Sequence, residues 1–234
     1  ASGAEAACHA AQLVLLNSDF AAMPKVVAEG RRVINNIERA ASLFLVKNTF
    51  SFLLAILTLC AAIPYPMKPT QLTLISAFTI GIPSFFLALE PNQSLVRGKF
   101  IFNVLRRALP GGLTDLVVIL GVEAFAAAFG FSVDELSTIS ATLMLFVGLL
   151  VLYQVCKPFD WKRRVVWGGM AVASLISVIC FREMFDLTPL NVQCGLVLAV
   201  FLALSYPVMH ALMWLFDRGE ALFHAGRRLR TKRR

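Results

Sequence analysis

Four residues in one apolar stretch of the chain have the types and the spacing of a cation-binding site. Thr73, Ser76, Thr79 and Pro83 recur at intervals of three and four residues, along one face of a helix. Proline has no N–H, so the carbonyl of Thr79, four residues earlier, loses its helical donor. A carbonyl freed beside a hydroxyl inside a membrane is a suitable ligand for hard cations, and transporters use broken helices in this way. The alternative is a simple proline kink whose carbonyl a neighbouring hydroxyl satisfies.

Polar residues also interrupt the preceding apolar stretch, at Lys47, Asn48 and Ser51. Asn48 and Ser51 share a helical face, where they either bind a cation or hold two helices together by hydrogen bonds. An ammonium at Lys47, about 10 Å inside a bilayer at 1.5 Å per residue, is costly unless it is paired or hydrated. Lys47 is therefore either a fixed cation beside the site or a side chain that snorkels to the interface.

Two acidic residues belong to the third apolar stretch. Glu123 lies well inside it, and ionisable residues at such depth are usually functional. Glu123 and Lys47 are therefore candidate charge partners of a cation site. Asp115 lies nearer the start of the stretch, and we expect it to be solvated.

Helices that cross a membrane have to position these residues. The sequence is 58% hydrophobic and 15% charged, with a mean hydropathy of +0.74, and its charges are bunched between long apolar runs. About 20 apolar residues of helix span the hydrocarbon of a bilayer. The predicted spans are 40–63, 71–89, 109–129, 136–156, 165–181 and 192–216. The sequence therefore predicts an all-α polytopic membrane protein with about six transmembrane helices.

Basic residues are distributed unevenly between the loops. One set of loops, together with the tail, is rich in lysine and arginine, whereas the opposite loops hold only Lys68 and Arg182. The positive-inside rule therefore predicts that both termini are cytoplasmic. The basic residues lie beside apolar spans without interleaved aromatic residues, so the predicted partner is the lipid bilayer and not nucleic acid.

The first 39 residues have a different pattern. The apolar run 11–16 predicts a buried strand, and Asn17, Ser18 and Asp19 are suited to cap a short helix after it. From Pro24 onward the pattern is helical, and no breaker separates it from the first span. We therefore predict one long helix that rises from a cytoplasmic segment into the membrane.

Several motifs resemble those of a known family, the P-type (E1-E2) cation-transporting ATPases. QLVLL at 12–16, DF at 19–20, VAEGR at 27–31 and NNI at 35–37 resemble the end of the family's phosphorylation domain and its stalk. TIGIPS at 79–84 and ALEPN at 88–92 resemble the sixth membrane helix of its calcium-pump-like branch.

The resemblance implies a domain organisation and a parent protein. Residues 1–39 would be a short α/β remnant of a HAD-like phosphorylation domain with the stalk, 40–216 a six-helix transmembrane domain, and 217–234 a basic cytoplasmic tail. The parent would be a pump of the cell membrane that uses Mg²⁺ and ATP, with the transported cation and the missing N-terminal part as partners. The family's catalytic motif DKTGT is absent from the sequence. We therefore expect no cofactor in this chain, and no ATP hydrolysis by it alone.

The resemblance also implies a ligand set. Asn48 matches a cation-coordinating asparagine of the family, whereas Ser51 and Ile80 stand where calcium pumps carry carboxylates. The predicted cation-binding residues are Asn48, Ser51, Ser76, Thr79 and Pro83. The competing interpretation is a small non-enzymatic multispanning protein, either an accessory subunit or a secondary transporter. A strand at 11–16 without a sheet argues against it.

Overall fold

The structure is an assembly of helices. The computed structural model describes residues 5–15, 19–96 and 98–231, with backbone only from residue 220 onward, and these ranges contain no β-strand. The α-helices are α1 (Glu5–Ala10), α2 (Met23–Ala61), α3 (Pro69–Ser76), α4 (Ile82–Ala88), α5 (Phe100–Phe129), α6 (Val133–Val155), α7 (Trp161–Cys180) and α8 (Val192–Thr231). A 3-10 turn, Phe20–Ala22, leads into α2, and a π-helical turn, Ala77–Gly81, joins α3 to α4.

Within the described ranges, six helical segments are long and apolar enough to cross a membrane, as the sequence predicts. They are Phe20–Ala61, Pro69–Ala88, Phe100–Phe129, Val133–Val155, Trp161–Cys180 and Val192–Gly219. The third segment begins earlier than predicted, because α5 starts at Phe100 and not near residue 109. Its first turns carry Arg106 and Arg107, whose charges hid the start of the helix from a hydropathy pattern.

The long helix predicted from Pro24 into the first span is confirmed as α2. Pro24 lies in its first turn, where no N–H donor is needed. The helix has 39 residues, or about 58 Å at 1.5 Å per residue, so it is longer than a bilayer core of about 30 Å. It ends at Ala61, because Ala62 adopts a left-handed conformation (φ 53°) and Pro64 follows.

The strand predicted at 11–16 is not found. Residues 11–15 are neither strand nor helix, and Leu16 lies outside the described residues. A strand needs a partner, and the described ranges offer none, so Leu13 is left 53% exposed. The predicted cap is confirmed at Asp19, whose carboxylate accepts the N–H of Ala21 at 2.9 Å, while Asn17 and Ser18 lie outside the described residues.

The centre of the bundle is formed by α5 and α6, with α2 packed against α5. Of the most apolar window of α6, 67% is buried, against 17% in both α7 and α8. Glycines permit the close approach of the central helices. A methyl group at Gly111 would lie 2.5 Å from the side chain of Val151, and one at Gly112 would lie 2.9 Å from the carbonyl oxygen of Val46.

Candidate functional site

The second span is broken at the position that Pro83 predicts, and the break is a π-helical turn. In this turn the N–H of Ile82 donates to the carbonyl of Ala77, five residues earlier. Pro83 has no N–H to donate either four residues back, to Thr79, or five residues back, to Phe78. Inserted π-turns occur often at functional sites because they expose backbone groups inside an otherwise regular helix.

A small cavity lies beside this turn, between α2, α5 and α6. Its volume is about 10 Å³, close to the least that one water molecule needs. Polar groups enter its wall from three helical segments, at Lys47, Thr79 and Asp115. The other lining residues are Leu43, Val46, Ile75, Ile80, Met144, Gly148 and Val151. The cavity is therefore an apolar chamber that contains one ammonium, one hydroxyl and one carboxyl group.

Lys47 reaches from α2 to the second span. Its ammonium donates a hydrogen bond to the hydroxyl of Ser76, which in turn donates to the carbonyl of Leu72 at 2.6 Å. The side chain is only partly exposed. The ammonium of Lys47 therefore contacts a residue of the second span next to the cavity.

Thr79 is held tightly in the wall of the cavity. It is 3% exposed, and its hydroxyl donates to the carbonyl of Ile75 at 2.7 Å, which leaves the oxygen lone pairs directed away from its own helix. On the facing helix α6, a methyl group at Gly148 would lie 2.6 Å from Thr79 Cγ2. Gly148 thus sets how closely α6 approaches the break. Sequence reasoning missed it, since a glycine in an apolar span carries no polar signal.

Asp115 is the largest departure from the sequence analysis. We expected a solvated residue near the edge of its span, but Asp115 is 1% exposed. Neither carboxyl oxygen has a hydrogen-bond partner in the part of the chain that the structure describes. The reason is the early start of α5: Asp115 lies 15 residues, or about 22 Å, along the helix from Phe100. The basic residues within 97–107 hide the first turns of the helix, so the predicted span begins at residue 109, nine residues too late.

The remaining predicted residues lie away from the cavity wall. Asn48 is exposed on α2, on a side of the helix that the described residues leave open. Ser51 is half-buried and shares a hydrogen bond with Tyr65 in the loop after α2. Glu123 is half-buried on α5, about 12 Å beyond Asp115 along the axis. The structure therefore brings Lys47, Ser76 and Thr79 together. The acidic residue in the cavity wall is Asp115 and not Glu123.

A second group of charges lies where α2 passes the loop after α4. Glu90 accepts hydrogen bonds from Arg39 on α2 and from Arg163 on α7, the latter at 2.8 Å. Its side chain is 16% exposed. Burial raises the pKa of Glu90, but the hydrogen bonds and charges of Arg163 and Arg39 outweigh burial and hold this pKa below its usual value. This group, the Glu90 cluster, fastens three helical segments to one another.

Asparagine side chains extend this attachment. The side-chain amide of Asn36 donates to the carbonyl oxygens of Ala88 at 2.9 Å and Glu90 at 3.1 Å. Asn35, one residue earlier, donates to the carbonyl oxygens of Asn92 and Ser94. The end of the second span is therefore attached to α2, whose first half leads away from the cavity.

Comparison with known proteins adds a family context. No family model matches the chain. Curated relatives include the probable cation-transporting ATPase exp7 of Streptococcus pneumoniae, 36% identical over 82% of this chain. The calcium-transporting ATPases CtpE of Mycobacterium bovis and of Mycolicibacterium smegmatis are 34% identical over 93% and 36% identical over 82% of it. The chain spans 26% to 29% of the length of these relatives, so most of it is similar to one part of a cation-transporting ATPase.

Proposed function

We propose that this chain is the C-terminal membrane part of a P-type cation-transporting ATPase and supplies part of its cation-binding site and translocation path. One observation carries the proposal: a buried polar cavity adjoins a π-turn and a proline in the second span, in a chain similar over most of its length to cation-transporting ATPases. In this proposal 1–39 belongs to the phosphorylation domain and stalk, 40–216 is the transmembrane domain, and 217–234 is a basic tail.

The ligand chemistry favours a hard cation. Hydroxyl and carbonyl oxygens, such as those of Thr79 and the break before Pro83, are ligands of alkali and alkaline-earth ions. Ser51 and Ile80 carry no carboxylate, so the site holds less negative charge than the calcium-pump pattern implies. Ca²⁺ is still the first ion to test, because CtpE of Mycobacterium bovis is named a calcium-transporting ATPase.

The attachment of α2 to the second span gives the pump a mechanical connection. In the proposed mechanism the rest of the protein binds ATP and Mg²⁺ and carries the phosphorylated aspartate, and the resulting domain motion tilts α2. Through the Glu90 cluster and Asn36, a tilt of α2 also displaces the end of the second span. Lys47 and the break before Pro83 then move relative to α5 and α6, and access to the cavity alternates.

Both termini are cytoplasmic in this proposal, in the cell membrane. Arg39, just before the first predicted span, and Arg163, in a predicted basic loop, share Glu90 and therefore lie at the same end of the bundle. Glu183 and Lys99 are both exposed, so a cysteine at either position can react with a thiol reagent. In a variant without native cysteines, a membrane-impermeant reagent added outside intact cells should label Glu183→Cys and not Lys99→Cys, because only residue 183 lies outside in this proposal. Labelling of Lys99→Cys alone would reverse the topology.

The pump hypothesis is tested with two threonines of the same local geometry. Thr79 and Thr73 both donate to the carbonyl four residues back, but Thr79 lines the cavity and Thr73 is exposed. In the full-length protein, Thr79→Ala should raise the half-saturating cation concentration for phosphorylation by ATP about five- to 150-fold, the scale of one lost buried partner. Asn48→Ala should raise it less, because Asn48 is exposed and lies away from the cavity wall.

Thr73→Ala is the matched control and should leave the half-saturating concentration within about twofold. Phosphorylation at saturating cation should survive in all three variants, because the nucleotide chemistry lies elsewhere. If no cation stimulates phosphorylation of the wild type, the pump proposal is wrong. If Thr79→Ala and Asn48→Ala both behave like the wild type, the polar residues are helix-packing contacts.

A further inference from the structure

One acidic group enters the cavity from a helix that the predicted ligand set did not include. Of the ten residues that line the cavity, Asp115 on α5 alone carries a carboxylate. It shares the cavity wall with Thr79 and Lys47, and the other lining residues are apolar side chains and Gly148. Two features are independent of each other here: the cavity itself, and a carboxyl group that is 1% exposed with no hydrogen-bond partner among the described residues.

Burial of an isolated carboxylate is among the most expensive arrangements in a protein. Acids that serve structure are therefore paired, as Glu90 is with two arginines. Lys47 is the one basic residue among those that line the cavity, but its ammonium is engaged by Ser76. A carboxyl group in this position is stable only when it holds a proton or a cation.

We propose that Asp115 is the carboxylate that binds the transported cation in this cavity, with Thr79 as a neutral oxygen ligand and Lys47 as the fixed positive charge that limits the charge of the bound ion. The inference rests on the proposed function and deepens it, because it assigns the anionic ligand to α5. Asp115 also supplies a negative charge of the kind that Ser51 and Ile80 lack. The cation class is a hard, oxygen-preferring ion.

Direct equilibrium binding tests the assignment without any need for ATP. The full-length protein in lipid nanodiscs is titrated with Ca²⁺ alone, and then with Mg²⁺, Mn²⁺, Na⁺ and K⁺ alone. For the ion that the wild type binds, Asp115→Asn should raise the dissociation constant at least about tenfold, the scale of one charged ligand. Ser140→Ala, which removes another fully buried polar group outside the cavity wall, should change it less than about twofold.

A second pair of variants closes the cavity while Asp115 stays in place. Gly148→Ala forces a methyl group against Thr79 and should weaken binding as Asp115→Asn does. Gly169→Ala on α7 meets no atom within 4 Å and should bind as the wild type does. Size-exclusion profiles and melting temperatures of all four variants show that a loss of binding is not a loss of fold.

The outcomes separate this inference from the pump proposal. If Asp115→Asn binds as the wild type does while Thr79→Ala is weakened, the assignment of Asp115 is wrong and the pump proposal stands. If the wild type binds none of the five ions, the assignment is also wrong. If Asp115→Asn abolishes binding but no ion stimulates phosphorylation of the wild type, the site is supported and the pump proposal falls.

Discussion

Glu90 and Asp115 both carry carboxyl groups at contacts between helices, but only Glu90 has basic side chains bound to it within the described residues. Glu90 lies beyond the apolar part of the second span and is held by two arginines from two helices. Asp115 lies deep in α5, is 1% exposed, and its oxygens contact no hydrogen-bond donor in the described ranges. One acid has its charge compensated by the fold, and the other requires compensation from a proton or an ion.

This difference in partners distinguishes polar residues that hold the bundle together from polar residues that are available to a ligand. A charge paired within the fold is compensated there and cannot take up a cation without first losing its arginines. A buried acid without such partners costs stability and persists only where it has another use. The Glu90 cluster is accordingly assigned to structure and mechanical connection, and the cavity around Asp115 and Thr79 to binding.

The largest effect on stability is expected at Glu90. Glu90→Gln leaves Arg39 and Arg163 buried without their carboxylate, and loss of one member of such a pair costs about 3 kcal/mol. The melting temperature of the detergent-solubilised protein should fall by several degrees, whereas Glu29→Gln, at an exposed pair within α2, should change it little. If the melting temperature of Glu90→Gln equals that of the wild type, the Glu90 cluster does not stabilise the fold.

The pH dependence sharpens this comparison. The pKa of Glu90 in the folded protein lies below its usual value, so its stabilising contribution is present above the unfolded pKa of about 4.5 and is lost as the pH falls through the folded pKa. The difference in melting temperature between wild type and Glu90→Gln should therefore be constant between pH 6 and 8 and should shrink below about pH 4.5.

A smaller effect is expected at Lys47, the basic residue in the cavity wall. Lys47→Met removes a fixed positive charge from the cavity wall, so repulsion of the bound cation decreases. For a separation of about 8 Å and an effective dielectric constant of about 20, the repulsion of a monovalent ion is about 2 kcal/mol, so its dissociation constant should fall at least about tenfold. Lys47→Arg keeps the charge and should keep wild-type affinity. Weaker binding by Lys47→Met would show that Lys47 positions a ligand instead.

Most of the fold could be predicted from the sequence, because a bilayer imposes a length and a composition on each span. The continuous helix from Pro24 and the break before Pro83 follow from the presence or absence of a single breaker. The strand at 11–16 could not be confirmed in this chain, since pairing depends on residues far from it in sequence. The form of the break, a π-turn that packs against Gly148, has no signal in the local sequence.

The site was predicted in part, for a similar reason. The polar stripe of Ser76 and Thr79 and the cation at Lys47 have a visible spacing, and the structure brings these three residues together. The burial of Asp115 could not be predicted, because burial is a property of the assembled bundle. Arginines in the first turns of α5 hide the start of the helix, so the sequence places Asp115 near the edge of its span. Asn48 shows the converse, since a polar residue within an apolar span proved to be exposed.

The most direct test of the account measures Glu90→Gln and Asp115→Asn side by side, in the same nanodisc preparation, for melting temperature and for cation affinity. The account predicts opposite losses: Glu90→Gln melts several degrees lower and binds the ion with wild-type affinity, whereas Asp115→Asn binds at least about tenfold more weakly and melts no lower than the wild type. If instead Asp115→Asn melts lower and keeps its affinity, the buried acid serves the fold and the distinction between the two regions is wrong.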